Sequence, residues 1–572
     1  MESTRKQQVN PIRLSMVIVF LSLLLASTAS AQPQQGGNVL VGQAVNPQGM
    51  PIKNMQVKLW RGAEETEFQT HSHSDGWFVL DMSKVSLDKT VWTLKLERRH
   101  FSVKMVELSQ ETVSRLAGGE AFCIGQVKVE RRKTAAFWIT LVIFAFMMFL
   151  IAATPMHNAL AALLGASLLL AMSAVGHMFN TDLIVFGFGE AVGSIDWNVI
   201  FLIMGMMIVI AVVEGTGVFR WLAFFAFKKS KGKLWLLMLI LMAITAVSSA
   251  ILDNVTTMLL MTPITIRIAL AMDTDPLVLL MPEVMAANVG GLSTMVGTPT
   301  NILIASYSGI SFSQFLINLT PGVLLALGGL VGYCLFIYRK TFKEQAGRVS
   351  EELHDRLEKG AVIAQPGHLK KSGWVGLGML VLFLFGEHLH MPPAVIALMG
   401  ATSLLVWIRP NVEEMIEAVD WTTLVFFLTL FMAVGALQEV GFIDLIASGA
   451  GALVGENLFL GMLVITFMAA LISTVIPNIP FTATMLPVVA YLTAQIPDAP
   501  AESLYFCLAV GAAMGGNGSL IGASANLVTS GIAERSGHPI SFARFFKVGF
   551  PALLITVTLA FAWLLFRYYV LE

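Results

Sequence analysis

The sequence predicts an all-α polytopic membrane protein made of two inverted repeats with re-entrant hairpins and broken helices, preceded by a small N-terminal β-sandwich. Three observations support this fold class. Of 572 residues, 56% are hydrophobic and 13% charged, 29 of the 73 charged residues lie in the first 133, and landmarks of the later chain recur at a fixed spacing. Soluble domains carry about 25% charged residues, so most of this chain is expected to face lipid.

Composition also argues against several classes of protein. The net charge is −1 and no basic stripe is interleaved with aromatic residues, which gives no support to nucleic-acid binding. Cys123, Cys334 and Cys507 are far apart in sequence, so a zinc site or a disulfide framework is not expected. The sequence shows no nucleophile–base pair and no phosphate-binding loop that would indicate an enzyme. No cofactor is predicted.

The first 31 residues are typical of a bacterial secretory signal peptide. Arg5, Lys6 and Arg13 precede an apolar run from Leu14 to Ala26, and Ala29-Ser30-Ala31 forms a small-residue cleavage signal. An uncleaved anchor helix is the alternative. Both interpretations export the next segment, so we expect a periplasmic N-terminal domain and helices in the inner membrane of a bacterium.

Short stretches of alternating apolar and polar residues predict a half-buried β-sandwich over residues 32–133. The segment from Val41 to Phe78 resembles carboxypeptidase regulatory-like domains of the transthyretin type. His71 and His73 are expected on a solvated loop, and the domain is interpreted as a passive or partner-binding cap. The predicted strands are Val39–Val41, Met55–Leu59, Trp77–Leu80 and Trp92–Leu96.

From Thr134 onward, apolar runs of about 20 residues follow one another, each long enough to span a bilayer as a helix. Three landmarks recur at offsets of 224, 224 and 225 residues, which divides the membrane part into repeats at 134–338 and 372–572 joined by a linker at 339–371. The paired landmarks are Asp196-Trp197 with Asp420-Trp421, Asn254 and Pro263 with Asn478 and Pro487, and Gly290-Gly291 and Asn301 with Gly515-Gly516 and Asn526.

The distribution of basic residues predicts that the repeats are inverted. Lysines crowd Lys228–Lys233, whereas the matching Ser448–Asn457 has no Lys or Arg; conversely Ala305–Gln314 has none and Arg535–Lys547 is basic. By the positive-inside rule, equivalent loops then lie on opposite sides, with the linker in the cytoplasm. Five crossings per half satisfy this arrangement. Inverted repeats indicate a secondary transporter.

Each half contains two polar interruptions. The first, at 248–257 and 473–484, is flanked by charge in the first half and predicts a re-entrant hairpin with Asn254 at its tip; the second lies at 288–301 and 515–526. Unpaired backbone groups there would each cost several kcal/mol in lipid. Freed carbonyls and side-chain oxygens suit a cation, and half-helix N-termini suit an anion, so the breaks predict an ion site. Kinked helices packed through small residues are the alternative.

The candidate ion- and substrate-binding residues belong to these interruptions, together with acids at membrane depth, which indicate function by default. A net negative pocket favours Na⁺ or H⁺ as the coupling ion, and Arg267 is a candidate ion-pair partner of Asp253 or Glu283. The candidates are Asp253, Asn254, Thr257, Glu283, Asn288, Ser293, Thr294, Asn301, Asn478, Thr482, Thr484, Asn517, Ser519 and Asn526.

At Leu252–Pro263 and Gly515–Asn526 the chain resembles the ion transporter superfamily that contains arsenite efflux permeases, D-type sodium/proton antiporters, the melanosomal P protein and citrate/dicarboxylate transporters. The resemblance is closest to the P-protein and D-type antiporter branch. It implies sodium sites at the tips with Asn254 and Asn478 as ligands. It also implies a homodimer whose transport domain moves against a scaffold.

Two departures from the P-protein-like pattern bear on function. Thr298-Pro299-Thr300-Asn301 stands where that pattern has Asp-Pro-Pro-Asn, and Pro477 stands where it has Asp. The loss of two acids argues against a second cation site and strict proton antiport. The sequence thus predicts an ion-coupled transporter of a small ionic solute, by sodium/proton exchange or by cation-coupled anion transport. A channel and, more remotely, a sensor of a periplasmic ligand are the alternatives.

Overall fold

The computed structural model describes residues 38–344 and 363–571, apart from residues 48, 89, 155 and 498. The predicted signal segment and most of the predicted linker lie outside these residues. The chain divides into two compact units, with the boundary between Arg132 and Lys133.

The first unit is a β-sandwich. β1 pairs antiparallel with β4 and parallel with β7, and the second sheet has the order β3-β2-β5-β6. Alternate residues of both sheets enter one core, in which Leu40, Leu59, Phe78 and Leu94 are fully buried. The elements are β1 (Val39–Val45), β2 (Gln56–Arg61), β3 (Glu64–His71), β4 (Trp77–Asp81), β5 (Trp92–Glu97), β6 (Lys104–Glu107), α1 (Gln110–Ala117) and β7 (Phe122–Lys128).

The four predicted strands are present, and three strands and one helix are additional. β3 was missed because its sequence, EETEFQTH, is polar and none of its residues is fully buried. His71 is the last residue of β3 and does not lie in a loop, which corrects the sequence expectation for that residue.

The second unit is helical, and its elements occur twice in the same order, so that each helix from α2 to α11 has a counterpart in α13 to α22. The first half contains α2 (Ala135–Ala153), α3 (Asn158–Phe179), α4 (Phe188–Gly193), α5 (Trp197–Glu214), α6 (Val218–Ser230), α7 (Leu234–Ile251), α8 (Asn254–Ala271), α9 (Leu277–Gly290), α10 (Pro299–Ser308) and α11 (Phe312–Ile337), followed by α12 (Arg339–Glu344). The second contains α13 (Pro366–Phe385), α14 (Pro393–Ile408), α15 (Val412–Glu417), α16 (Trp421–Val440), α17 (Phe442–Val454), α18 (Leu458–Ser473), α19 (Asn478–Gln495), α20 (Ser503–Gly515), α21 (Ser524–Arg535) and α22 (Phe542–Tyr569).

Within the described ranges, eight helices are long and apolar enough to cross a membrane, namely α2, α3, α5, α7, α8, α11, α16 and α22. Their outer faces carry large exposed apolar side chains such as Trp138, Val142 and Ile317, as lipid contact requires. These features confirm the polytopic membrane fold. α13 begins at Pro366, six residues before the predicted start of the second repeat.

The equivalent helices α11 and α22 pack antiparallel. The Tyr333 hydroxyl, near the end of α11, donates to the Val548 carbonyl near the start of α22 at 2.9 Å. Trp563 Nε1, near the end of α22, donates to the Asn318 carbonyl near the start of α11 at 2.7 Å. Two equivalent helices that run in opposite directions are what inverted repeats require.

Contacts between the halves occur in exchanged pairs. α3 packs on α16 while α14 packs on α5, and α10 packs on α19 while α21 packs on α8. Helices of each half therefore pack against helices of the other half, and any space between the two breaks is lined by residues of both halves.

The two hairpins, α7–α8 and α18–α19, open towards opposite sides. Asp275, in the loop after the first hairpin, pairs with Arg544 at the start of α22 at 2.6 Å. Phe506, after the second hairpin, meets Phe315 at the start of α11, with ring centroids 5.3 Å apart. Because α11 and α22 begin on opposite sides, so do the hairpin bases.

This arrangement predicts opposite accessibility for corresponding turns of the two halves. In a Cys123→Ser background, Lys231→Cys and Glu456→Cys are expected to react with a membrane-impermeant maleimide from opposite faces, because both positions are exposed and their helices run in opposite directions. Labelling of right-side-out and inside-out vesicles measures this. Reaction of both cysteines from one face would contradict the inverted arrangement.

Candidate ion-binding site

The two helix breaks have the same local geometry. α9 ends at Gly290, continues as a 3₁₀ turn over Gly291–Ser293 and becomes extended at Thr294 before α10 begins. α20 ends in the same way, with a 3₁₀ turn over Gly516–Gly518 and extended backbone at Ser519 before α21. Since a helix end leaves its last carbonyls without partners, each break needs side chains to satisfy its backbone.

An asparagine closes each break. Asn301 Nδ2 donates to the Thr294 carbonyl at 2.7 Å and lies 3.3 Å from that of Gly291. Asn526 Nδ2 donates to the Gly516 carbonyl at 2.7 Å and to that of Ser519 at 2.9 Å. The asparagine recurs at these positions because its amide group satisfies the backbone carbonyls of the break.

A hydroxyl fastens each break to the tip of its own hairpin. The Thr294 hydroxyl donates to the Ala250 carbonyl, and the Ser519 hydroxyl donates to that of Thr474. Glycine permits the close packing: a Cβ at Gly290 would lie 2.3 Å from the Ala246 carbonyl oxygen. Thr294 and Ser519, both predicted as ligands, therefore hold the hairpin against the broken helix.

Four buried asparagine side chains connect the two halves. Asn254 Nδ2, at the first hairpin tip, donates to Asn288 Oδ1 on α9 at 2.8 Å. Asn288 Nδ2 then donates across the repeat interface to Asn517 Oδ1 at 3.0 Å and to Asn526 Oδ1 at 3.1 Å. All four are at most 5% exposed. We call this set the amide chain; it joins a hairpin tip, a broken helix and the opposite break.

The amide chain is not repeated by the pseudosymmetry. Ala513 stands 225 residues after Asn288, so the second half has no equivalent donor. As a result Asn301 Oδ1, the counterpart of the satisfied Asn526 Oδ1, is buried without a hydrogen-bond partner. Asn478 at the second tip is 7% exposed, and its side chain forms no hydrogen bond within the residues that the structure describes.

Further hydroxyl oxygens are buried and unpartnered: Ser249 Oγ on α7, and Thr257 Oγ1 and Thr482 Oγ1, each about one helical turn after a hairpin tip. Ser249 Oγ lies beside the first break, 3.0 Å from the position of a Cβ on Gly291. Leaving such groups unpaired costs about 1–3 kcal/mol each, and a hard cation prefers oxygen ligands of this kind. The described residues contain no group of three or more His, Cys, Asp and Glu that could hold a metal ion.

The predicted acids have different surroundings. Asp253 is half-buried and caps α8, where it accepts from the Thr256 amide at 2.9 Å. Glu283 is fully buried on α9 and accepts from the Thr245 hydroxyl at 2.9 Å. Arg267 is exposed and forms no salt bridge with Asp253 or Glu283, so the candidate ion pair is not formed in this structure. Its long side chain keeps the charge on the outside of the bundle.

Two other candidates bond to nearby backbone. Thr484 donates to the Phe481 carbonyl of its own helix at 2.8 Å, and Ser293 donates to the Gly290 carbonyl at 2.6 Å. Both satisfy local backbone and do not point to a ligand.

Comparison with known proteins gives the family. The family described as CitMHS, citrate transporter, matches residues 146–511. The chain belongs to this citrate transporter family. An uncharacterized transporter of Mycobacterium tuberculosis is 39% identical over 379 residues, covering 66% of this chain and 88% of the relative. The human P protein is 32% identical, covering 76% of this chain and 60% of the relative. These matches confirm the superfamily expected from the sequence.

Solved structures of low sequence identity also match this family member. The YdaH transporter of Alcanivorax borkumensis has a TM-score of 0.47 at 15% identity, over 72% of this chain and 98% of the other. The MtrF protein of Neisseria gonorrhoeae, described as one of a class of antimetabolite efflux pumps, has a TM-score of 0.49 at 12% identity, over 75% and 98%.

Sequence reasoning did not select several hydroxyls of the hairpin arms of this transporter. Thr245 and Ser249 lie one helical turn apart on α7, and Thr265 lies on α8; all three are fully buried. Ser473 on α18 donates to the Ala512 carbonyl at 2.9 Å. A four-residue spacing of hydroxyls in an apolar helix was the available signal.

The amide chain predicts a large effect of Asn288 on stability. Asn288→Ala removes three hydrogen bonds and leaves buried amide groups unpaired, so we expect destabilisation by about 3 kcal/mol and a melting temperature in detergent several degrees lower. The exposed Asn198→Ala is the matched control, with an expected change within about 0.5 kcal/mol. Equal melting temperatures of Asn288→Ala and the unchanged protein would show that the amide chain contributes little.

Proposed function

We propose that this member of the citrate transporter family is an ion-coupled secondary active transporter of a bacterial inner membrane, which moves a small ionic solute by alternating access. The observation that carries the proposal is the amide chain, because it places a hairpin tip and both helix breaks around one buried polar centre between the repeats. Solute sites of secondary transporters with inverted repeats are found in such a place. The proposed assembly is a homodimer, with residues 32–133 in the periplasm.

Access from one side at a time fits the hairpin geometry. Because the hairpins open to opposite sides, movement of either hairpin exposes the centre to one side only. A cavity on the side where α11 begins is lined by Asn198, Phe312 and Glu387 and reaches Met295 in the first break. It offers an approach to the centre from that side.

Cation-coupled anion transport is the form that the site supports best. The unpartnered oxygens of Asn301, Thr257 and Thr482 suit a cation such as Na⁺. The helices α8, α10, α19 and α21 all begin at the tips and breaks, and their N-termini favour a negative group. The family description names citrate, so small carboxylates are the first anions to try.

Sodium/proton exchange is the second candidate, and the fully buried carboxyl of Glu283 favours it. Purified protein in liposomes with an imposed sodium gradient separates the two forms. Uptake of labelled citrate or another carboxylate driven by sodium supports symport, whereas a sodium-driven change of internal pH with no anion present supports exchange. Flux that never exceeds equilibrium would identify a channel and contradict both.

The same assay tests the ligands at the tips. Asn254→Ala and Asn478→Ala are each expected to reduce sodium-dependent flux about tenfold or more, since one lost ligand at a buried ion is worth at least about 1.4 kcal/mol. Gln495→Ala, which removes an exposed amide at the end of α19 outside this cavity, is the control. Monodisperse elution in detergent shows that a variant is folded, and normal sodium dependence in both folded variants would contradict their assignment.

A further inference from the structure

Among the described residues, Glu283 is the one carboxyl that is fully buried, and its surroundings are specific. Its Oε1 accepts from Thr245 on α7 at 2.9 Å, whereas its Oε2 is buried without a hydrogen-bond partner. The Thr265 hydroxyl on α8 lies near the same carboxyl, and its Oγ1 is likewise without a hydrogen-bond partner. Both threonines are fully buried. One hydroxyl thus comes from each arm of the first hairpin.

Among the residues that the structure describes, Glu283 forms no salt bridge, and no basic side chain acts on its carboxyl. α7 carries no ionisable residue, and the only basic residue of α8, Arg267, is exposed. The other titratable residues on the elements that pack against α9 are Tyr333 and Cys334 on α11, Tyr505 and Cys507 on α20, Glu534 and Arg535 on α21, and Arg544, Lys547, Arg567, Tyr568 and Tyr569 on α22. Among the basic members, Arg544 pairs with Asp275, and the half-buried Arg567 donates to Asn318.

We propose that Glu283 binds the coupling proton of the transport cycle and that Thr245 and Thr265 form its cage, an inference that rests on the proposed transport function. On protonation, a proton from water forms a bond to Oε2, and the carboxylate loses its negative charge. The new O–H donates to Thr265 Oγ1 while Oε1 continues to accept from Thr245. In the neutral form Oε2 is a donor to Thr265, whereas in the ionised form the Thr265 hydroxyl would have to donate to Oε2.

The position of Glu283 connects this proton to the polar centre. Glu283 precedes Asn288 on α9 by five residues, a rise of about 7.5 Å. Its two hydroxyl partners belong to α7 and α8, and α7 packs closely on the end of α9 at Gly290. Ionisation leaves an uncompensated charge in this packing, which is unfavourable in a dry interior. Loss of the proton therefore favours separation of the first hairpin from α9.

The cage supplies fewer oxygens than a hard divalent cation takes. It supplies one carboxyl and two hydroxyls, and the Thr245 hydrogen already occupies one carboxylate oxygen. Hard divalent cations take six or more oxygens. Leu508 stands 225 residues after Glu283, so the second repeat has no equivalent carboxyl. The proposal therefore specifies one proton site per chain, carried by the first repeat.

Infrared difference spectroscopy of the purified full-length protein tests the proton directly, without knowledge of the solute. The carbonyl stretch of a protonated buried carboxyl is expected to be present at acidic pH and to disappear as the pH rises, and to be missing in Glu283→Gln. The control Glu214→Gln, which changes an exposed carboxyl at the end of α5, is expected to retain the band. A wild-type spectrum without a titrating band, or a band that persists in Glu283→Gln, would overturn the proposal.

Flux in liposomes separates coupling from structure, with labelled citrate and ²²Na⁺ as probes. In Glu283→Gln the amide accepts from Thr245 and donates to Thr265, as the protonated acid would. This variant is expected to retain exchange of the labelled probes when the pH is equal on both sides of the membrane. Its accumulation of probe driven by a pH gradient is expected to fall at least about tenfold. Glu283→Asp, which still titrates, is expected to recover part of that accumulation at a shifted pH optimum. Full accumulation in Glu283→Gln would refute the proton role.

The outcomes distinguish this inference from the proposed function. If the unchanged protein moves neither probe under any gradient, the transport proposal fails, and the infrared titration still decides whether Glu283 binds a proton. If transport proceeds but the carboxyl band changes neither with pH nor with either probe, Glu283 keeps one protonation state through the cycle and the proton proposal is wrong. If Glu283→Gln does not fold, the titrating band of the unchanged protein and the pH profile of Glu283→Asp decide the matter.

Discussion

The hydrogen bonds of Asn288 are the interaction on which the rest of the membrane unit depends. Its side chain accepts from Asn254 and donates to Asn517 and Asn526, and so it links the first hairpin tip and both breaks in one buried polar network. Backbone that leaves the helix inside a bilayer is stable only where protein or ligand satisfies it. The amide chain does this across the interface of the repeats, which makes the two halves one structure.

The repeats are alike where the backbone must be satisfied and unlike where chemistry takes place. The asparagine closing each break and the hydroxyl fastening it to the hairpin recur at equivalent positions. Asn288, Asn517 and Glu283 do not recur: their counterparts are Ala513, Leu292 and Leu508. The features that the two repeats share thus maintain the fold. The residues that differ between the repeats make the polar centre asymmetric.

Much of this arrangement could be predicted because it follows from local patterns in the sequence. The offset of 224 to 225 residues, the basic loops and the glycine-rich interruptions predicted repeats, inversion and breaks. The partners of Asn288 could not be predicted, since they lie 229 and 238 residues away and are chosen by packing. Asp253 shows the reverse case: its place at a hairpin tip suggested an ion ligand, yet the same place is a helix N-cap, and capping is the commoner use of aspartate there.

The unequal repeats also bear on how a single centre can serve two sides. A symmetric pair of carboxyls would let either hairpin respond to protonation, and the two half-cycles would then be driven alike. With its acid in the first repeat alone, the transporter places the charge-sensitive contact between α9 and the hairpin that opens towards the start of α22. The other hairpin meets an apolar residue, Leu508, at the equivalent depth. In the proposed proton cycle, ionisation destabilises one packing arrangement and not its mirror counterpart, and such a bias would couple the ion to a direction of movement.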